Sequence, residues 1–119
     1  MAATGLKVAV TGPTGDLGVA IVNALERSRA VKKIIGMARR PFDPGEQGWK
    51  KTEYVQGDVT DSGSVRGLVK GADVVVHLAF AILDASDATR ELNVAGSRRV
   101  FEEAAKAGAE LLLDLGLLR

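Results

Sequence analysis

A chain of 119 residues, 46% hydrophobic and 26% charged, has the composition of one ordinary globular domain and can bury roughly two-thirds of its unfolded surface. A net charge of +1 gives no electrostatic reason to expect a nucleic-acid or membrane-surface partner. The absence of cysteine excludes disulfides, thiol catalysis and cysteine-ligated metals; no metal site is expected, and the composition suits a reducing cytoplasm. The opening Met1–Gly5 lacks the basic-then-apolar layout of a signal peptide. No apolar run approaches the roughly 18 residues of a membrane span. The expectation is therefore a soluble, cytoplasmic, single-domain chain.

Leu6–Val10 is a short, β-branched apolar segment and reads as the first strand. The turn Thr11-Gly12-Pro13-Thr14-Gly15-Asp16-Leu17-Gly18 follows, and Val19–Ser28 then reads as a helix with Leu17, Ile21, Ala24, Leu25 and Ser28 on one face. Lys32 and Lys33 introduce a second strand, Ile34–Ala38, which Pro41 prevents from continuing. Phe42–Lys51 turns to Pro, Gly, Gln and charge and is expected as a surface loop, with Trp49 anchoring it to the body. Glu53–Gln56 is a third strand. A short helix comes next, N-capped by Thr60 or Asp61, with Val65, Leu68 and Val69 buried and Gly71 at its stop. Asp73–Leu78 is the clearest strand in the chain. A long helix follows, starting between Leu83 and Asp87 and ending before Gly108, with Val94, Phe101, Ala104 and Ala105 on one face. Leu111–Leu113 offers a fifth strand.

Short apolar strands alternating with helices predict an α/β fold: an open, doubly wound parallel sheet of Rossmann type, in strand order 3-2-1-4-5. Ligands of such sheets bind beyond the carboxyl ends of the strands, where the strand order reverses. That mouth lies between strands 1 and 4, and the glycine turn opens into it. Unpaired N–H groups at a helix start, with about half a positive charge from the helix dipole, suit a phosphate. One glycine would make the tight turn, one admit a pyrophosphate to the backbone, and one let the helix pack on the strand.

The pattern Thr-Gly-x-x-Gly-x-x-Gly at Thr11–Gly18 resembles the cofactor turn of the short-chain dehydrogenase/reductase superfamily, in its extended and atypical branches that include nucleotide-sugar epimerases and dehydratases. Gly57-Asp58-Val59 is similar to the element that sets an Asp beside adenine. Val75–Ala79 resembles the family's fourth strand and the small residue bordering the cofactor. Asn93-Val94-Ala95-Gly96-Ser97 resembles its Asn-Val-x-Gly-Thr helix. The resemblance covers nearly the whole chain. It implies a cofactor site at Gly12, Thr14, Gly15, Asp16, Leu17, Gly18, Arg39, Asp58, Val59, Leu78, Ala79 and Asn93, and a near wall at Phe80–Leu83 with a minor part in substrate choice. His77, in the family's Val-His-Leu-Ala strand, is expected to be a satisfied structural residue. Asp58 alternatively hydrogen-bonds only its own loop.

An Asp or Glu about 20 residues beyond the turn would favour NAD; that position is Ala38, followed by Arg39 and Arg40. A guanidinium there can pair with a 2′-phosphate, so NADP is favoured and NAD remains possible. The superfamily's hydride transfer uses a Ser or Thr after the fifth strand and a Tyr-x-x-x-Lys pair. The single tyrosine, Tyr54, has Asp58 four places on, and the segment after Leu113 reads Asp114-Leu115-Gly116-Leu117. No catalytic residue is assigned. The expectation is the N-terminal cofactor portion of an epimerase/dehydratase-type oxidoreductase, inactive alone and shorter than its relatives because of truncation. The alternative is a noncatalytic NADP-binding module that senses redox state or regulates a partner. A third outcome, no nucleotide binding at all, stays open. The leucine-rich Leu111–Leu118 stretch, interrupted by Asp114, would be an exposed edge that pairs two copies.

Overall fold

The computed structural model describes residues 5–79 and 87–114. Its strands are β1 (Leu6–Thr11), β2 (Val31–Ala38), β3 (Thr52–Gln56), β4 (Val74–His77) and β5 (Glu110–Asp114), and its α-helices are α1 (Asp16–Arg27), α2 (Ser62–Val69) and α3 (Asp87–Ala107). All strand pairs are parallel, as right-handed βαβ crossovers require. β3, β2, β1 and β4 hydrogen-bond in that order, and β5 pairs along the outer side of β4 with a register shift between Val75 and Val76. This is the doubly wound parallel α/β sheet expected from the sequence. Val8 and Val10 of β1 join Val22 of α1, Ile34, Val76 and Leu78 in one apolar cluster. Ala9, one residue out of phase, joins Val65 and Leu68 of α2, Val100 and Ala104 of α3, Met37 and Val75 on the other face. The two-residue strand period divides the core into these two layers. No helix among the described residues is long and apolar enough to cross a membrane.

Local signals place the helix ends. Asp61 is the N-cap of α2, its carboxylate accepting from the Ser64 N–H at 2.9 Å and the Ser64 hydroxyl at 2.8 Å. These hydrogen bonds hold the Asp61 carboxyl below its ordinary value, only partly opposed by desolvation. Gly71, at φ +73°, follows the last residues of α2.

The loop after β2 contains a short 3-10 helix, Pro44–Gln47, that the sequence pattern did not announce. Trp49 anchors this loop as expected: it is buried, and its Nε1 donates to Asn23 Oδ1 of α1 at 2.7 Å. Glu26, also on α1, accepts from the backbone N–H groups of Lys50 (2.9 Å) and Lys51 (2.8 Å) and from the Thr52 hydroxyl (2.7 Å). Burial alone would raise the Glu26 carboxyl. The hydroxyl, the two N–H groups and the Lys51 ammonium outweigh burial and lower it.

Three expectations about faces and bounds are corrected. On α1, Leu17 is 47% exposed and Ala24 is exposed, while Gly18 and Val22 are the buried positions, with Ile21 and Leu25 packed against them. On α3, Val94 and Ala105 are exposed; Ser97, Val100 and Ala104 form the buried stripe. β2 begins at Val31, so Lys32 and Lys33 lie within it, and Lys33 pairs with Glu53 of β3 at 3.0 Å. The wall expected at Phe80–Leu83, the side chains of Leu111–Asp114 and the segment 115–119 lie outside the described residues.

Candidate functional site

β1 delivers the chain to the glycine turn. Gly12 has φ +75°, a conformation that L side chains rarely adopt. A Cβ there would also sit 2.9 Å from the Ala79 backbone nitrogen. Gly18 meets the turn itself rather than a strand: its Cβ would fall 2.1 Å from the Gly12 carbonyl oxygen. Gly15 differs from both, because a Cβ on it would meet nothing within 4 Å. It is the N-cap of α1, and no side chain caps that end. The first intrahelical bond runs from Val19 N–H to the Gly15 carbonyl, so the amides of the first turn have no intrahelical partner. Thr14, Gly15, Asp16 and Leu17 are all exposed here. Amides, dipole and clear space fit a pyrophosphate.

A buried polar relay locks this turn to β4. The Thr11 hydroxyl oxygen accepts from the backbone N–H groups of Leu78 and Ala79, both at 3.1 Å. With its lone pairs so engaged, its hydrogen is directed to His77 Nδ1, 2.5 Å away. Nδ1 is then an acceptor, and the neutral ring's Nε2–H donates to Ser97 Oγ of α3 at 3.0 Å. Thr11, His77 and Ser97 are each at most 1% exposed. The single histidine is thus a structural connector between β1, β4 and α3. Asn93, half-buried, lies one turn before Ser97 on α3. Leu78, buried, and Ala79 directly flank Gly12.

At the other side of the mouth, the Gly12 N–H donates to the Met37 carbonyl at 3.0 Å, and Gly57 N–H to the Ala38 carbonyl at 2.9 Å. These bonds bring the turn, the end of β2 and the Gly57-Asp58-Val59 loop together. Arg39 and Arg40 are exposed just beyond β2. Asp58 Oδ1 accepts from the Thr60 N–H (2.9 Å) and hydroxyl (2.8 Å), so it does organise its own loop. Val59 fits against Gly96 of α3, where a Cβ would come within 2.9 Å of Val59 Cγ2. Arg99, one turn later, donates to the Thr60 carbonyl at 2.7 Å and to Ser62 Oγ at 3.0 Å. The Tyr54 hydroxyl donates to the Arg40 carbonyl, and burial pushes its phenol above the ordinary value.

A mouth formed by a glycine turn, the end of β2 and the end of β4 is shared by many enzymes, and comparison narrows it. The family model described as NAD dependent epimerase/dehydratase matches residues 8–116. The chain belongs to the NAD dependent epimerase/dehydratase family.

The chain is 35% identical over 104 residues to sterol demethylase protein B of Methylococcus capsulatus, an alignment covering 83% of this chain and 30% of that one. It is 34% identical over 109 residues to ceramide reductase of Caulobacter vibrioides, covering 89% and 33%. The chain thus spans about a third of the length of these curated relatives. Among solved structures, uronate dehydrogenase from Agrobacterium tumefaciens superposes with a TM-score of 0.73 at 27% identity, over 91% of this chain and 38% of that one. A mutant of the same enzyme is complexed with NAD and gives TM-score 0.73 at 26% identity, over 87% and 37%.

Sequence reasoning missed several residues of the site. Thr11, Gly96 and Ser97 were read only as parts of motifs, and their contacts appear once β1, β4 and α3 are assembled. Gly36 reads in the sequence as one more strand residue, yet a Cβ on it would lie 2.8 Å from Pro13 Cγ. A glycine inside an apolar strand is the signal that pointed to this close approach.

Proposed function

We propose that this chain binds NADP across the ends of β1, β2 and β4, as the cofactor portion of an epimerase/dehydratase-type oxidoreductase. The observation that carries the reading is Gly15: an uncapped helix N-terminus opens over the one glycine of the turn whose Cβ would meet nothing. A pyrophosphate would accept from the N–H groups of Gly15, Asp16 and Leu17, with Gly12, Thr14 and Gly18 shaping the turn. Among the described residues Asp58 engages Oδ1 alone, and Oδ2 would take the adenine amino group beside Val59. Leu78 and Ala79 would border the cofactor on the β4 side, and Asn93 would support the helix behind it. Arg39 supports NADP over NAD, because its exposed guanidinium is available for a 2′-phosphate.

When bound, the nicotinamide supplies hydride transfer at its C4, in the parent reaction at a carbinol or carbonyl carbon. This chain's own residues bind and orient the cofactor. The 119 residues contain no Tyr-x-x-x-Lys, and Tyr54 is committed to Arg40, which supports a chain without turnover of its own. The same observation favours the second reading, a noncatalytic NADP-binding module that senses redox state or regulates a partner. Calorimetry with NADP and NAD, followed by an assay for carbonyl reduction, tests both. Binding without turnover is expected; turnover by the purified chain would overturn the assignment of no catalytic residue.

A further inference from the structure

Where β2 stops pairing with β3, side chains take over. The backbone register ends at Ala38↔Gln56, and Pro41 has no N–H with which a ladder could resume. Yet three successive carbonyls are taken up from the β3 side. Ala38 O accepts from the Gly57 N–H at 2.9 Å, Arg39 O from Gln56 Nε2 at 2.8 Å, and Arg40 O from the Tyr54 hydroxyl. The Tyr54 ring is itself held: Phe42 packs on it at 5.4 Å between centroids and on Trp49 at 5.5 Å, and Trp49 is tied to Asn23 of α1. The side chains of Arg39 and Arg40 are exposed and have no ion pair among the described residues. The chain therefore fixes the root of each arginine while leaving the guanidinium available.

We propose that Tyr54 and Gln56 are positioning residues for cofactor choice, holding the Arg39–Arg40 backbone so that the arginine pair meets a ribose 2′-phosphate. This rests on the NADP reading above. A long cationic side chain loses less freedom on binding when its backbone is already ordered. The benefit should fall on the 2′-phosphate alone, because the glycine turn, which holds the other phosphates, is built by different residues.

The test uses two probes that differ only in the 2′-phosphate, 2′,5′-ADP and 5′-AMP, titrated calorimetrically into the full chain and its Tyr54→Phe and Gln56→Ala variants. Tyr54→Phe keeps the ring against Phe42 and removes only the hydroxyl. Each variant is expected to lose about fivefold in affinity for 2′,5′-ADP, the size of one hydrogen bond, with 5′-AMP unchanged. In an Arg39→Ala, Arg40→Ala background the same substitutions should add nothing. An equal loss for both probes, or no loss for either, overturns the positioning role while the NADP reading stands. If the unsubstituted chain binds 2′,5′-ADP no tighter than 5′-AMP, the NADP reading fails and the positioning role falls with it. Thermal melts accompany each titration; should Gln56→Ala not fold, Tyr54→Phe decides alone.

Discussion

At the glycine turn the surface turned toward a ligand is backbone, and its shape depends on side chains that are absent at Gly12, Gly15 and Gly18. At the ends of β2 and β3, the corresponding surface is made of side chains: Arg39, Arg40 and Asp58, set in place by Gln56, Tyr54 and Thr60. At Gly12 and Gly18 the first region admits no added atom, because backbone segments touch there, while Gly15 between them lies open. The second can change residue by residue without disturbing the sheet. On the proposed NADP reading, a phosphate common to all dinucleotides would meet the rigid region, and the group that distinguishes two dinucleotides would meet the adjustable one.

The contrast breaks first under substitution of the turn. Gly18→Ala drives a methyl to 2.1 Å from the Gly12 carbonyl oxygen, and backbone must move to admit it. A stability loss of more than about 3 kcal/mol is expected, read by chemical denaturation. Thr11→Val, nearly isosteric, takes the acceptor from the half-buried Ala79 N–H and the donor from His77, while the Leu78 N–H keeps the Thr11 carbonyl at 3.0 Å. It should cost roughly 2 kcal/mol; a loss below about 1 kcal/mol would mean that water or a rearranged side chain replaces the hydroxyl.

Glu26→Gln probes the tie between α1 and the start of β3, outside both regions. A loss of about 1–2 kcal/mol is expected near neutral pH, since an amide cannot accept all three bonds. The Glu26 carboxyl sits below its ordinary 4.5 in the fold. Its contribution is therefore present above the unfolded value and lost as pH falls through the lowered folded value. The stability gap between the two proteins should accordingly narrow as pH drops below about 4.5. A gap independent of pH would remove the carboxylate from the explanation. Gly15→Ala sharpens the comparison most finely: its φ of −77° suits alanine and its surroundings are open. Stability should change by less than about 1 kcal/mol, while affinity for NADP and NAD falls together by about tenfold or more as the methyl occupies the phosphate's place.

Much of this organisation was legible because it is local. A strand, three glycines and a helix in succession define the turn wherever the rest of the chain goes, and Asp61 and Gly71 mark their helix by neighbour chemistry alone. The rotational phase of α1 was not legible. Its close approach to the turn is made at Gly18, which carries no apolar side chain for a periodicity to register, so the apolar pattern points Leu17 inward when it faces out. On α3 the buried stripe runs through Ser97, whose burial depends on His77 waiting for it across the sheet. The Thr11–His77–Ser97 relay joins three polar residues far apart in the chain, and no short-range pattern encodes such a meeting. The same holds for Tyr54 and Gln56, whose roles follow only from parallel pairing with β2.

Calorimetric titration of the chain with NADP and with NAD, repeated on Gly15→Ala and Arg39→Ala, addresses the two-region site most directly. The expected result is tighter binding of NADP, loss of both cofactors' affinity in Gly15→Ala, and loss of NADP affinity alone, by about tenfold or more, in Arg39→Ala. Equal affinity for the two cofactors with no effect of Arg39→Ala, or unchanged binding in Gly15→Ala, would contradict it.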